Sequence, residues 1–229
     1  MNGLRDALLL YAVTDRAWLS SSPAGCGTLE RQVEEAVLGG ATMVQLREKE
    51  LDEEGFAGLA RRVKRVTDVR GVPLIINDSL EVALASGADG LHIGQDDGDV
   101  RQVRARLGTG RILGVSAQTV AQAADAEASG ADYLGVGSVF PTSTKRDAAD
   151  VSLRTLSEIC AAVRIPVVAI GGIHGGNARL LAGTGIAGIA VVSALFARPG
   201  RVREAAQELK ALASEICAPR GCAANERGG

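Results

Sequence analysis

The sequence predicts an α/β protein with a closed (β/α)8 architecture, the TIM barrel, and three observations predict it. Eight short apolar runs rich in β-branched residues recur along the chain, at 8–14, 42–47, 72–77, 90–95, 111–116, 133–140, 166–172 and 188–195. Stretches with the apolar spacing of amphipathic helices alternate with them, at 29–38, 53–67, 80–86, 100–107, 119–129, 153–162, 178–182 and 201–215. Glycine-led turns punctuate the passage from helix to strand, as Gly39-Gly-Ala41, Gly87-Ala-Asp89, Gly130-Ala-Asp132 and Gly185-Ile-Ala187. Glycine just beyond a helix end enters the left-handed conformation without steric cost and releases the chain toward the next strand.

Each element follows from its own residues. Runs such as Pro166-Val-Val-Ala-Ile170 are continuously apolar, as expected of strands buried on both faces in a parallel sheet covered by helices. An open doubly wound sheet could use the same elements, but it normally carries a glycine-rich phosphate loop after its first strand. Here that turn reads Thr14-Asp-Arg-Ala17. The length of 229 residues and a hydrophobic fraction of 46% suit one barrel domain over 1–217. Residues 20–27 read as a surface loop, and 218–229 as a disordered polar tail.

Composition excludes several classes of function. A formal charge of −2, from 25 basic and 27 acidic residues spread along the chain, leaves no footprint for nucleic acid or anionic lipid. No apolar run approaches the ~20 residues of a membrane span, and the N-terminus lacks a secretory layout. The four cysteines, Cys26, Cys160, Cys217 and Cys222, follow neither a metal-site nor a disulfide-framework spacing, which predicts a reducing, cytoplasmic setting. Whether the chain assembles as a homo-oligomer is left open.

In a (β/α)8 barrel the active site is built where strands end, so polar residues there carry the information. The second strand ends in Gln45-Leu-Arg-Glu-Lys49. Residues two apart on an extended chain share a face, so Gln45, Arg47 and Lys49 can form a cationic fork for an anion, or else a solvated loop. The third strand ends in Asn77-Asp78 and the fourth in Gly94-Gln-Asp-Asp97. Neighbouring strands lie ~4.8 Å apart, so Asp78 and Asp97 can share a Mg²⁺ ion, which takes one or two carboxylates and completes its shell with water and phosphate oxygens. Each could instead cap the following helix.

The fifth strand ends in Gly114-Val-Ser116, and the sixth leads into Phe140-Pro-Thr-Ser-Thr-Lys-Arg-Asp147. Hydroxyls at Thr142 and Thr144 with Lys145 offer donors and a charge to a phosphate, unless the loop is a lid without chemistry. Gly171-Gly172 after the seventh strand, and Val192-Ser193 after the eighth, stand where this fold commonly holds phosphate. His92 reads as a packed histidine within a strand, and His174 as a phosphate neighbour or an exposed loop residue. With no nucleophile and base in partnership, covalent acyl transfer loses support, and electrostatic stabilisation of a departing diphosphate fits the remaining groups.

Over residues 8–212 the chain resembles the thiamine-phosphate synthase family. The resemblance rests on Tyr11-Ala-Val-Thr-Asp15, Gln45-Leu-Arg-Glu-Lys49, Ile76-Asn-Asp78, His92-Ile-Gly-Gln-Asp-Asp97, Gly114-Val-Ser116, Pro141-Thr-Ser-Thr-Lys145, Ile170-Gly-Gly-Ile173 and Val192-Ser193, in that order. It implies an alkyl-transferring enzyme that joins hydroxymethylpyrimidine diphosphate to hydroxyethylthiazole phosphate with Mg²⁺, through a pyrimidine methyl cation captured by the thiazole nitrogen. By that likeness Gln45, Arg47, Lys49, Asn77 and Lys145 hold the pyrimidine diphosphate, and Asp78 and Asp97 hold the metal. Ser116 lies near the reacting pyrimidine, and Lys145, Ser116 and Arg47 bear on the chemistry. Thr142, Ser143, Thr144, Gly172, Val192 and Ser193 hold the thiazole phosphate. A related thiazole tautomerase needs neither the carboxylates nor the fork, and a phosphate-sensing barrel would bind without releasing diphosphate.

Overall fold

The structure is a computed structural model that describes residues 2–21, 27–142, 151–198 and 200–218. Eight parallel strands close on themselves: β1 (Leu10–Val13), β2 (Met43–Leu46), β3 (Leu74–Asn77), β4 (Gly90–Ile93), β5 (Ile112–Ala117), β6 (Tyr133–Val136), β7 (Val167–Ile170) and β8 (Gly188–Val191). Closure comes from β1 pairing with β8 in the register Tyr11↔Ala190, which removes the open sheet as an alternative. The helices are α1 (Asn2–Ala7), α2 (Leu29–Leu38), α3 (Glu53–Asp68), α4 (Leu80–Ser86), α5 (Val100–Leu107), α6 (Val120–Ala128), α7 (Leu153–Ala162), α8 (Ser193–Phe196) and α9 (Val202–Cys217).

Side-chain caps start the helices that follow strands. Thr28, Asp52, Ser79, Asp99, Thr119 and Ser152 each accept a first-turn amide of α2 to α7 in turn, and Thr119 forms a reciprocal capping box with Gln122. The glycine turns behave as expected: Gly87 is left-handed at φ 71°, and Gly40, Gly130 and Gly185 also have positive φ. A polar residue at the end of three of these turns, or just past it, does a second job. Thr42, Asp89 and Asp132 accept the amides of Leu10, Leu74 and Leu113, so each incoming strand is tied to the start of the one before it.

Strand parity divides the core into two clusters. Outward residues such as Leu10, Val44, Leu74, Leu91, Val115 and Leu134 pack beneath the helices, and inward Tyr11, Met43, Ile75, Tyr133 and Val168 fill the barrel. The short helix α1, which the sequence pattern did not reveal, supplies Leu4 and Ala7 to this inner cluster. Inside, bulk on one strand is accommodated by its absence on the next. A Cβ added to Gly114 would lie 2.1 Å from Tyr133 Cζ, and one on Gly135 would lie 3.0 Å from His92 Cε1.

Several expected segments differ from what is seen. The run at 133–140 yields a strand only to Val136; beyond it the amides of Val139 and Phe140 donate to the carbonyls of Ile170 and Gly171 from loop geometry. The run at 188–195 splits, with β8 ending at Val191 and Ser193 opening α8, because a buried apolar run has no periodicity that separates strand from helix. The helix expected at 178–182 is a single 3-10 turn, Ala178–Leu181, enclosed by Gly175-Gly176 and Gly183. The supposed surface loop begins within another 3-10 turn, Arg16–Ser21, and residues 22–26 lie outside the described residues, as does the expected tail beyond Ala218. Cys160 and Cys217 are free thiols that burial pushes up to about 11, away from the reactive range.

The glycine seat for Tyr133 is directly testable. Gly114→Ala is expected to cost about 2–3 kcal/mol by overpacking the barrel interior, measured as a lower urea midpoint at unchanged slope. A stability within about 0.5 kcal/mol of wild type would show that the ring has room to move.

Candidate active site

All eight strands deliver residues to one cavity of about 380 Å³ at the C-terminal mouth of the barrel. From β2 come Gln45, Arg47 and Lys49; from β3, Asn77 and Asp78; from β4, His92 and the loop 94–97; and from β5, Ser116 and Gln118. The β6 side gives Gly137, Ser138 and Thr142, β7 gives Gly171 and Gly172, and β8 gives Val192 and Ser193. Every site residue expected from the sequence that the structure describes therefore faces this one space. Ser143, Thr144 and Lys145 lie outside the described residues.

The cationic fork is held by residues just beyond β1. The Arg47 amide donates to Thr14 Oγ1 at 3.1 Å, and Arg47 Nη1 lies 4.0 Å from Asp15 Oδ2. Glu48 turns away from the cavity: its Oε1 accepts the amides of Lys49 and Glu50, and its Oε2 pairs with Arg16 at 3.0 Å. The Glu48 side chain is only 1% exposed. Burial alone would push its carboxyl up, but the Glu50 amide, the Arg16 guanidinium and the Lys49 amide together hold it below the usual carboxylate range. This locked turn leaves the alternate residues 45, 47 and 49 lining the cavity.

The capping alternative for the two carboxylates fails on geometry. Ser79 caps α4 and Asp99 caps α5, so neither Asp78 nor Asp97 serves as a helix cap. Asp78 instead occupies the left-handed region at φ 65°, the one described non-glycine residue to do so. Its amide donates to the His92 carbonyl at 2.9 Å, tying the ends of β3 and β4 together. Such a conformation is unfavourable for most side chains and persists where the surroundings impose it, often at functional sites. Asp97 folds back so that Oδ2 accepts the Gly94 amide at 2.7 Å, which orders the loop after β4.

The glycines after β7 allow a close approach of backbone. Gly171 and Gly172 have φ of 99° and 63°, and a Cβ on Gly172 would sit 2.5 Å from the Pro141 carbonyl oxygen. Asn177 clamps this turn, donating to the Gly172 carbonyl and accepting the His174 amide, both at 2.9 Å. His174 itself is exposed, its Nδ1 accepts the Gly176 amide at 3.1 Å, and it does not line the cavity.

The reading of His92 as merely packed is incomplete. It is buried, at 8% exposure, yet it lines the cavity floor and belongs to a continuous polar chain. Gln45 Nε2 donates to the Tyr11 hydroxyl at 2.9 Å, and the Tyr11 and Tyr133 hydroxyl oxygens lie 2.8 Å apart. Tyr133 in turn meets His92 Nδ1 at 2.9 Å, and His92 Nε2 meets Ser116 Oγ at 3.1 Å. Gln95 Nε2 donates to the Ser116 carbonyl at 2.6 Å, fixing the same residue from the β4 loop. Sequence reasoning missed Tyr11, Tyr133 and Gln95. The available signal was parity, since Tyr11, Gln45, His92, Ser116 and Tyr133 all stand at inward positions.

Comparison with known proteins decides the family. The thiamine monophosphate synthase family matches residues 10–195, most of the barrel. The chain belongs to the thiamine monophosphate synthase family. It is 47% identical to a thiamine-phosphate synthase of Clostridium tetani (strain Massachusetts / E88), over 90% of this chain and 96% of that one. It is 50% identical to the thiamine-phosphate synthase of Ruminiclostridium cellulolyticum, over 87% and 92% of the two chains. Among solved structures, thiamine phosphate pyrophosphorylase from Pyrococcus furiosus superposes with a TM-score of 0.83 at 37% identity, covering 93% of this chain and 98% of that one. The family match spans the cationic fork, both carboxylates and the glycine turn after β7, so the cavity is the part of this synthase barrel where its chemistry belongs.

The Arg16–Glu48 pair makes a pH-dependent prediction for the fork. Because the Glu48 carboxyl is held below its unfolded value of about 4.3, its contribution to stability is full above that pH and fades as pH falls through the lower folded value. Arg16→Gln should therefore lower the urea midpoint at pH 7, with the gap from wild type narrowing below about pH 4. A gap that stays constant down to pH 3 contradicts this account.

Proposed function

We propose that this chain joins 4-amino-2-methyl-5-(diphosphooxymethyl)pyrimidine to 4-methyl-5-(2-phosphooxyethyl)thiazole, releasing thiamine phosphate and diphosphate, as a cytoplasmic step of thiamine biosynthesis. One observation carries the reading: within the span that matches the synthase family, two cations and three carboxylates, Asp78, Asp96 and Asp97, converge on one cavity from the ends of β2, β3 and β4. Arg47 and Lys49 suit the diphosphate, with Gln45 and Asn77 beside them as uncharged hydrogen-bonding groups. Thr142, Gly172, Val192 and Ser193 line the opposite side, where loops seven and eight of this fold commonly bind phosphate, and we assign them to the thiazole phosphate with Ser143 and Thr144.

The donor set fits Mg²⁺. Asp78 and Asp97 both line the mouth, both are exposed, and neither is engaged in capping a helix. Among the described residues no group of three or more His, Cys, Asp or Glu gathers as a closed metal cage. That suits an ion held by two carboxylates and completed by water and substrate phosphate oxygens. When bound there, Mg²⁺ supplies positive charge to the diphosphate as its bond to carbon breaks.

The protein's own groups do the rest. Arg47 and Lys49 neutralise the departing diphosphate, and Lys145 from the β6 loop is proposed to join them. Ser116 sits on the cavity floor against the pyrimidine, and Arg47, Ser116 and Lys145 are the groups we place at the reacting end. The thiazole nitrogen carries no proton to remove, so holding the two rings in line is sufficient and no general base is required.

The decisive experiment is to mix the protein with Mg²⁺ and both substrates and follow thiamine phosphate and diphosphate together. Both products should appear in equal amounts; a folded protein that binds the substrates and releases no diphosphate is not a synthase. Asp78→Asn keeps a residue tolerant of the left-handed region and removes only the charge, so turnover should fall at least about a hundredfold with the melting temperature unchanged. Wild-type turnover in that variant removes the metal assignment. Lys145→Ala should depress turnover more than thiazole phosphate affinity, and a loss confined to affinity reassigns that lysine.

A further inference from the structure

The polar chain beneath the cavity runs through five side chains from five different strands: Gln45, Tyr11, Tyr133, His92 and Ser116, with links of 2.9, 2.8, 2.9 and 3.1 Å. Tyr133, at its centre, is fully buried and is not part of the cavity lining, while Gln45, Tyr11, His92 and Ser116 all line it. Burial pushes the Tyr11 and Tyr133 phenols well above their ordinary range, so both keep their protons and remain hydrogen-bond donors.

Counting protons gives the chain a direction. Each phenol has one proton to give, and Gln45 donates an amide hydrogen to Tyr11. Carried on in the same sense, Tyr11 gives its own proton to Tyr133, and Tyr133 gives its proton to His92 Nδ1. A nitrogen that accepts carries no hydrogen, so the ring proton stands on Nε2, from which it reaches Ser116 Oγ. The Ser116 oxygen is thereby occupied as an acceptor, and its own hydrogen is left to point elsewhere, into the cavity that Ser116 lines.

We propose that Tyr11, Tyr133 and His92 are positioning residues that fix Ser116 as a hydrogen-bond donor to the substrate rather than an acceptor. A ligand atom above Ser116 must then bring a lone pair, as an unprotonated ring nitrogen of an aminopyrimidine does. A hydroxyl free to rotate would accept or donate indifferently and would not select the face or orientation of such a ring. The polarity set by Gln45 at one wall is delivered to Ser116 at the other through Tyr11, Tyr133 and His92. The glycines at 114 and 135 serve this arrangement, because a methyl group on either would intrude on the Tyr133 or His92 ring. The consequence for turnover rests on the synthase reading above; the direction of the chain does not.

The test has two arms. In ¹⁵N-labelled wild-type protein, where His92 and His174 are the two histidines to assign, long-range ¹H–¹⁵N spectra should show His92 protonated at Nε2 and bare at Nδ1. An Nδ1–H tautomer means that His92 donates to Tyr133, and overturns the proposal without any variant. In the second arm Tyr133→Phe removes the donor to Nδ1. The variant should lose the single tautomer and turn over about tenfold more slowly, with thiazole phosphate affinity unchanged. The double variant Tyr133→Phe/Ser116→Ala should be no slower than Ser116→Ala alone, since Tyr133 acts only through Ser116. Unchanged turnover in Tyr133→Phe, or losses that multiply in the double variant, overturns the proposal. A wild-type protein with the Nε2–H tautomer that makes no thiamine phosphate refutes the synthase reading and leaves the chain's direction standing.

Discussion

The interior of a barrel of eight parallel strands is one shared volume filled by alternate residues, so what one strand puts inside its neighbours must leave room for. That constraint sets most of what is distinctive here. The Tyr133 ring enters the space left by Gly114, and His92 the space left by Gly135. Once these polar rings are inside a water-excluded barrel, their hydrogen-bonding groups have to find one another, because an orphaned buried donor costs about 1–3 kcal/mol. The result is a floor that is polar and hydrogen-bonded, beneath a mouth that carries charges of both signs.

Floor and mouth are divided by strand position rather than by composition. Within β2, Gln45 reaches down to Tyr11, while Arg47 two residues later stands at the rim. Within β3 and its loop, Asn77 ends the strand and Asp78 bends into the left-handed region as the chain turns toward α4. The helices need caps at these same joints, and the sequence provides them one or two residues further on, at Ser79 and Asp99. Capping and ligand binding are thus assigned to adjacent residues instead of competing for one carboxylate.

This explains what could be read from the amino acids and what could not. The strand ends were legible because a period of two places Gln45, Arg47 and Lys49 on one side without knowledge of the fold, and the cavity includes all three. The closed barrel was legible from regular alternation and the glycine turns. The choice between cap and ligand at Asp78 and Asp97 was not, since Asp suits both and the deciding feature is a backbone torsion. Nor was the buried chain: Tyr11 and Tyr133 are 122 residues apart and look like ordinary strand aromatics until closure brings their hydroxyls together. The helix α8 escaped because Ser193–Phe196 continues the apolar run of β8, and burial on all sides erases the period that separates the two states.

The separation also bears on how the proposed reaction can proceed without a base. A diphosphate leaving group develops charge at the mouth, where Arg47, Lys49 and the three carboxylates face the same space. Charge stabilisation there is strengthened by the apolar barrel wall below, which lowers the local dielectric without adding charge of its own. A titratable floor would be a liability under a carbocation-like centre: an imidazolium would repel it, and a carboxylate could trap it. Phenols that keep their protons and a serine hydroxyl do neither. They can hold a ring in place while the electrostatic work is done a strand-end away, and the only histidine lining the cavity among the described residues is hydrogen-bonded to Ser116.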